Sequence, residues 1–218
     1  MKQTKKNLQK NIKYFILILF LFMSHSGFAQ DEFDIIRIYK KALVKSDSLL
    51  ANGDISEINL DELMTVTNKL NNQHPSGYVD QALKYFKESR FNESGFLYNL
   101  AKMRLVDWNK NNVGVYYDFY GDQKVELEEG VFLYLAADID NYKKVLELAL
   151  KYYRENDYLF ISKKPGYHKA EISEDYKEML SAFDKDRETL KQGLYETRED
   201  MRKKVEGLYL MLISNEKN

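Results

Sequence analysis

Proline interrupts this chain at only two of its 218 positions, Pro75 and Pro165. Because proline lacks a backbone donor and clashes with the preceding helical turn, it limits helix length more strongly than any other residue. Its scarcity leaves long stretches rich in leucine, lysine and glutamate, which favour helices. We therefore expect an all-α bundle of about seven to eight helices.

The first 29 residues predict an export signal that does not belong to the fold. Five lysines and no acidic residue precede or flank the apolar run 14–23, and Gly27 and Ala29 follow at the spacing of a signal-peptidase site. This run is about half as long as a bilayer span requires, so an uncleaved anchor is the weaker alternative. We expect residues 1–29 to be a cleavable signal peptide. Residues 30–218 would then form a single helical domain with no membrane anchor, periplasmic or extracellular.

Removal of this signal would change the charge balance of the chain. The whole sequence holds 33 Lys and Arg against 34 Asp and Glu, and five of the lysines precede residue 29. The exported chain would keep 28 basic and 34 acidic residues, a net charge of −6. Such a chain, with both signs interleaved, is not expected to bind nucleic acid or anionic lipid electrostatically. Because it has no cysteine, its stability has to come from packing without disulfides.

Apolar residues at three-and-four spacing predict where the helices lie. The expected helices cover residues 33–52, 60–70, 78–88, 93–109, 127–137, 140–156 and 173–213, with a long loop over 157–171. The last helix would be about 60 Å long at 1.5 Å per residue, which exceeds the width of a compact domain of this size. We expect one long C-terminal helix, either bent near Gly193 or projecting from the core.

Small and aromatic residues between 78 and 109 follow offsets of 0, +3, +9, +16 and +19: Ala82, Tyr85, Phe91, Tyr98 and Ala101. The segment resembles the tetratricopeptide unit, whose small residues let two antiparallel helices approach while aromatic residues fill the seam. Gln81, Ser94 and Val106 depart from the family pattern. No second copy appears at the family spacing of 34, so we expect one hairpin and no repeat array. Residues 96–104 also resemble an aromatic-rich helix of uncharacterised exported bacterial proteins, a family with no function to carry over.

Motifs for common catalytic and metal chemistries are missing from the sequence. It contains no His-Glu-x-x-His, no Gly-x-Ser-x-Gly and no phosphate-binding glycine loop. The two histidines after residue 29, His74 and His168, lie in different predicted loops. We therefore expect no cofactor, no metal and no catalytic site, and a protein as the partner.

Arg104 is the first candidate for binding a partner or ligand. It interrupts an apolar stripe, one turn after Leu100 and one turn before Trp108. A guanidinium at such a position is either a structural group, snorkelling or in an internal ion pair, or the anion-binding group of a groove.

Two loop segments supply the remaining candidates. Tyr116, Tyr117 and Tyr120 have rings that stack on sugars, although aromatic residues more often pack between helices. The loop 163–168 places Tyr167 and His168 beside two lysines, where they would bind an acidic partner or remain solvated.

These features favour a non-catalytic protein-interaction module of the bacterial envelope. One version of it is an immunity or inhibitor protein that occupies a toxin or hydrolase. The alternative is a periplasmic protein that binds glycan or peptide fragments through surface tyrosines. A carboxylate-dependent glycan hydrolase is the least favoured, since helical acids are too numerous for sequence to nominate a pair.

Overall fold

The computed structural model describes residues 30–53, 55–111, 122–159, 161 and 168–215. Within these ranges the chain forms eight α-helices and no strand, which confirms the all-α prediction. The helices are α1 (Gln30–Asn52), α2 (Leu60–Leu70), α3 (Ser76–Lys87), α4 (Phe91–Asn111), α5 (Asp122–Leu135), α6 (Ile139–Glu155), α7 (Lys169–Lys185) and α8 (Arg187–Asn215). The described residues from Ile35 onward belong to one compact unit.

Side-chain caps explain where two of these helices begin. The Asn59 side chain accepts a hydrogen bond from the Glu62 amide at 3.2 Å, so α2 begins at the predicted residue. Asp138 caps α6 in the same way, with its Oδ1 2.7 Å from the Asn141 amide. Gly53, with φ of +70°, follows the end of α1 in the left-handed region that glycine tolerates.

Helices α3 and α4 form the hairpin that the small and aromatic residues predict. All five residues of the predicted seam are buried. The hydroxyl of Ser94, at a position where tetratricopeptide units favour alanine, donates to the Ala82 carbonyl at 2.8 Å and so links the two helices. The geometry fits a helical hairpin of this type.

Helices α5 and α6 are joined by residues 136–138 and pack chiefly on α4, with little contact between the two of them. Gly130 of α5 faces Phe86 of α3, and Gly95 of α4 lies between Val131 and Leu135 of α5 and Val145 of α6. Helix α4 therefore lies where α5 and α6 meet.

The helices pack into a bundle around α4. Helix α4 contacts α3, α5, α6 and α7, while α8 contacts α5 and α7. Helix α1 packs across α3 and α5, with the Tyr39 and Phe86 rings 6.2 Å apart and the Ser46 hydroxyl 3.0 Å from the Leu133 carbonyl oxygen. The core therefore lies between three helical pairs and α1.

The C-terminal helix predicted over 173–213 is interrupted. Helix α7 ends at Lys185 and α8 begins at Arg187, so the break falls at Asp186 and not near Gly193. The Asp186 amide donates to the Ala182 carbonyl and its own carbonyl accepts from Leu190, so a single residue serves both helices. The interruption lets α7 pack on α4 and α6 while α8 returns to α5.

The close approach of α3 and α5 depends on Gly130. A Cβ atom at this position would lie 2.1 Å from Phe86 Cζ, closer than any real contact. The Phe86 ring has little room to move, because the Tyr39 and Phe91 rings lie 6.2 and 5.4 Å from it. Glycine is therefore required where α3 and α5 meet.

Replacing Gly130 with alanine should lower the free energy of unfolding by about 1–2 kcal/mol, because overpacking outweighs the gain in helix propensity. Gly193→Ala is the matched control, since a Cβ atom added there would meet no heavy atom within 4 Å. That variant should be up to about 1 kcal/mol more stable than the wild type. Urea unfolding followed by circular dichroism measures both, and equal stability of the two variants would contradict the packing described.

Candidate functional site

Arg104 lies inside the bundle, and its side chain has no exposed surface. Three tyrosine rings surround the guanidinium carbon, with ring centres at 4.6 Å for Tyr158, 4.7 Å for Tyr78 and 5.5 Å for Tyr152. Aromatic faces attract a cation through their negative quadrupole, most strongly where water is excluded. The four side chains form a cage, which we call the Arg104 cage.

The polar partners of the guanidinium are neutral. Nη1 donates to Asn71 Oδ1 at 2.6 Å and to the Tyr78 hydroxyl, and Nη2 donates to the Asn156 carbonyl oxygen at 3.3 Å. Nε has no acceptor among the described residues. No carboxylate in the described ranges lies within ion-pair distance of Arg104. The internal ion pair that the sequence allowed is therefore replaced by amide, carbonyl and phenol contacts.

Asn71, which follows α2, joins these contacts into one network. Its Oδ1 also accepts from the Tyr78 hydroxyl at 2.8 Å, and its Nδ2 donates to the Tyr152 hydroxyl at 2.9 Å. The Tyr152 hydroxyl donates onward to Asn68 Oδ1 at 2.6 Å, and the Asn71 carbonyl accepts from the Leu159 amide at 2.8 Å. The network thus holds the end of α2 against α3, α6 and the segment after α6.

The buried carboxylate of Asp107 is connected to the Arg104 cage through Tyr158. The Tyr158 hydroxyl lies 2.6 Å from Oδ2 of the buried Asp107, and burial together with this carboxylate raises the pKa of Tyr158. Burial lowers the pKa of Arg104, although the neighbouring phenols oppose that change. Tyr158 therefore stays a neutral donor between two buried charges of opposite sign.

This geometry favours the structural interpretation of Arg104. An external carboxylate would reach the guanidinium only after a ring of the cage moved aside, because the side chain is fully covered. The arrangement fixes the end of α2, helix α3 and the segment after α6 around one charge. Loss of the cage would leave a buried cation whose N–H donors have no acceptors, which would destabilise the fold.

His168 is the other predicted site residue that the structure describes, and it lies beside the cage. It stands at the N-cap of α7 with Nδ1 3.0 Å from Glu171 Oε2, and Glu171 Oε1 is 2.9 Å from Lys110 Nζ. Hydrogen bonds to Lys110 and His168, together with the charge of Lys110, lower the pKa of Glu171. The neighbouring Lys169 Nζ lies 3.5 Å from the Asn156 carbonyl oxygen that also accepts from Arg104. Tyr116, Tyr117, Tyr120 and Tyr167 lie outside the described residues.

A second buried arginine, Arg198, was not predicted. Its Nε donates to the Ser46 hydroxyl at 2.6 Å, and its Nη2 pairs with Asp47, so α8 is tied to α1. Burial alone would raise the pKa of Asp47, but hydrogen bonds and charges of Arg202 and Arg198 outweigh it and lower that pKa. The sequence alone could have indicated that Arg198 is buried, because it lies within the apolar stripe of α8, as Arg104 does in α4.

Two buried asparagines connect α4 and α6 to the segment between α1 and α2. Asn141 Nδ2 of α6 donates to Asn92 Oδ1 of α4 at 2.8 Å, and Asn92 Nδ2 donates to the Ser56 carbonyl at 2.7 Å. The Ser56 amide lies 3.3 Å from the Tyr134 hydroxyl of α5. We call this chain of contacts the asparagine ladder; it holds residues 55–59 against α4 and α5.

The adjacent acids Glu128 and Glu129 of α5 serve different interfaces. Glu128 Oε1 lies 2.9 Å from Lys102 Nζ of α4. Burial raises the pKa of Glu129, and the charge of Lys204 in α8 and a hydrogen bond from Tyr39 in α1 only partly oppose it. These two carboxylates therefore face separate partners.

Arg104→Met should lower the free energy of unfolding by about 2–4 kcal/mol, because it removes the charged hydrogen bonds and ring contacts of the cage. Arg187→Met is the control: this arginine forms an exposed two-bond pair with Asp140, which is worth at most about 1 kcal/mol. Denaturant unfolding compares the two. An Arg104 variant as stable as the Arg187 variant would rule out the structural role.

Glu129→Gln should gain stability relative to wild type as the pH rises. A carboxyl whose pKa is raised on folding stabilises the protein below its unfolded pKa, and that contribution is lost as the pH rises through the folded pKa. Unfolding at about pH 4 and about pH 7 tests this, with the exposed Glu178→Gln as control. A difference that stays constant or shrinks with rising pH would show that burial does not govern Glu129.

Within the described part of the chain, no helix is long and apolar enough to cross a membrane. The same residues contain no group of three or more His, Cys, Asp or Glu side chains placed to hold a metal ion. Comparison with protein-family models, with curated proteins and with solved structures finds no match to this chain.

Proposed function

We propose that this protein is a non-catalytic protein-interaction module of the bacterial envelope, and that its partner binds where α1 leads into α2. The observation that carries the proposal is the asparagine ladder, which fixes an exposed apolar segment to the buried side chains Asn92 of α4 and Asn141 of α6. A surface held in this way loses little conformational entropy on binding, because its backbone is already ordered.

From the last turn of α1 to the first residue of α2, three large aliphatic side chains are exposed within eleven residues. Leu50 is 45 % exposed, Ile55 is 44 % exposed and Leu60 is 50 % exposed. We call these three residues the apolar patch. Single exposed aliphatic residues are common, but a group of them on an anchored segment is typical of a protein-binding surface.

The buried polar groups support a binding module because they are used to join helices. Arg104 links α4 to α3 and to Asn71 after α2, Arg198 links α8 to α1, and Asn92 links α4 to α6 and to Ser56. Their side chains make contacts that position secondary structure. The finer version of the proposal, an immunity or inhibitor protein, rests on the expected export and on the acidic charge of the exported chain.

The test is recovery of a partner from the natural envelope. We expect a tagged protein, cross-linked in its own host, to enrich a specific envelope protein in quantitative mass spectrometry. Ile55→Ser combined with Leu60→Ser should reduce that enrichment at least about tenfold, because hot-spot aliphatic contacts are lost. Leu159→Ser combined with Met179→Ser, which changes two other exposed aliphatic residues, should leave it unchanged.

Unfolding measurements on both double variants show whether either loses its fold. Failure of any protein to be enriched specifically would overturn the interaction proposal. Equal loss of the partner in both double variants, with the fold intact, would overturn its assignment to the apolar patch.

A further inference from the structure

The apolar patch lies in a stretch of sequence whose only charged residues are acidic. Residues 46–68 contain five acidic residues and no lysine, arginine or histidine. The whole chain holds 33 basic and 34 acidic residues, so the two signs are elsewhere well mixed. The segment between α1 and α2 and the start of α2 therefore differ in charge from the rest of the chain.

Two of these acids are matched by bases from other helices. Asp47 pairs with two arginines of α8, and Glu62 lies 2.6 Å from Arg90 Nη1. The Arg90 hydrogen bond and, less strongly, the charge of Lys84 lower the pKa of Glu62. Arg90 is shared, because its Nη2 also lies 3.1 Å from Glu93 Oε1. This arginine is thus offset by its own two acids and does not neutralise the remaining ones.

Exposure alternates along the segment that the asparagine ladder holds. Ile55, Glu57 and Asn59 are exposed, while Ser56 and Ile58 between them are partly buried. The Ser56 carbonyl accepts from Asn92 at 2.7 Å, and Ile58 packs against the core. Ile55 and Glu57 therefore share the outer side of the segment.

The first turn of α2 continues this surface. Leu60 is 50 % exposed, and Asp61 beside it is exposed as well. The helix dipole favours acids at this place, which accounts for Asp61 and Glu62 without a partner. Glu57 lies before the helix, so the dipole does not account for its place beside Ile55. Neither Glu57 nor Asp61 forms an ion pair with a residue that the structure describes.

We propose that the partner of the apolar patch is basic: its aliphatic side chains cover Ile55 and Leu60, and its lysine or arginine side chains pair with Glu57 and Asp61. The inference rests on the proposed protein-interaction function and adds the chemistry of the partner. Opposite charges at the rim of an interface speed association and exclude partners of the wrong sign, while buried apolar contacts slow dissociation. The acids would therefore select the partner that the aliphatic side chains hold.

Two labelled peptides of equal length test the inference with the protein purified from its natural host. The first is an amphipathic helix with leucine on one side and lysine on the other, and the second has glutamate in place of lysine. Fluorescence anisotropy should show that the lysine peptide binds, with an affinity that falls as salt is added. The glutamate peptide should bind at least about tenfold more weakly, because like charges would face each other.

Glu57→Lys combined with Asp61→Lys should weaken binding of the lysine peptide at least about tenfold and strengthen binding of the glutamate peptide. Asp175→Lys combined with Glu178→Lys is the matched control: it changes the same two residue types at exposed positions of α7 and should alter both affinities far less. Glu57→Lys alone leaves the acids at the start of α2 in place, so it tests the same change if the double variant does not fold.

Equal affinity for the two peptides, binding of neither, or equal effects of the two double lysine variants would overturn the inference. Ile55→Ser combined with Leu60→Ser should weaken binding of the lysine peptide without changing its salt dependence. Dissociation of a dimer on these serine substitutions, seen by sedimentation, would assign the apolar patch to a second copy of the chain and would also overturn the inference.

Failure of this inference is distinguishable from failure of the interaction proposal. A host protein whose recovery depends on Ile55 and Leu60, but is unchanged by Glu57→Lys and by added salt, would reject a basic partner and support the apolar patch. Recovery of no specific host protein would overturn the interaction proposal itself, and the basic partner with it.

Discussion

A charged guanidinium stands inside this bundle with neutral groups as its described polar partners, and the end of the bundle is organised around that charge. Burying an ion costs several kcal/mol unless other groups replace its water. Arg104 obtains them from Asn71 after α2, Tyr78 on α3 and the Asn156 carbonyl after α6. Because no two of these groups come from one helix, the charge is tolerated only when all the segments are in place. Partial docking of that end is therefore unfavourable, which makes its assembly cooperative.

The sequence predicts the individual helices better than it predicts how they pack against each other. The start of α2 at Leu60 follows from Asn59 and the apolar spacing, because cap and helix are local. The hairpin formed by α3 and α4 also follows from spacing, because Ala82, Tyr85 and Phe91 lie on neighbouring helices and are all buried. The role of Gly130 does not follow from spacing, because its neighbour Phe86 lies on α3, distant in sequence.

The break at Asp186 and the partners of the buried arginines depend on distant parts of the chain. Nothing local ends α7, since Asp186 is flanked by good helix formers, and the interruption is set by where α7 and α8 pack. An arginine on an apolar stripe marks Arg104 as unusual, but its partners come from three other segments. Arg198 finds Asp47 across 151 positions of sequence. Such pairs follow from topology, which helical periodicity does not contain.

Separate buried contacts hold α1 and the segment that follows it. Ser46 and Asp47, near the middle of the helix, are fixed by Arg198 of α8. The segment that follows α1 is fixed by Asn92, which has no part in the Arg198 contact. The net charge of −6 expected after removal of the signal does not describe α1, which holds four acidic and four basic residues. The distribution of charge over packed helices, and not its sum, decides which partners such a chain attracts.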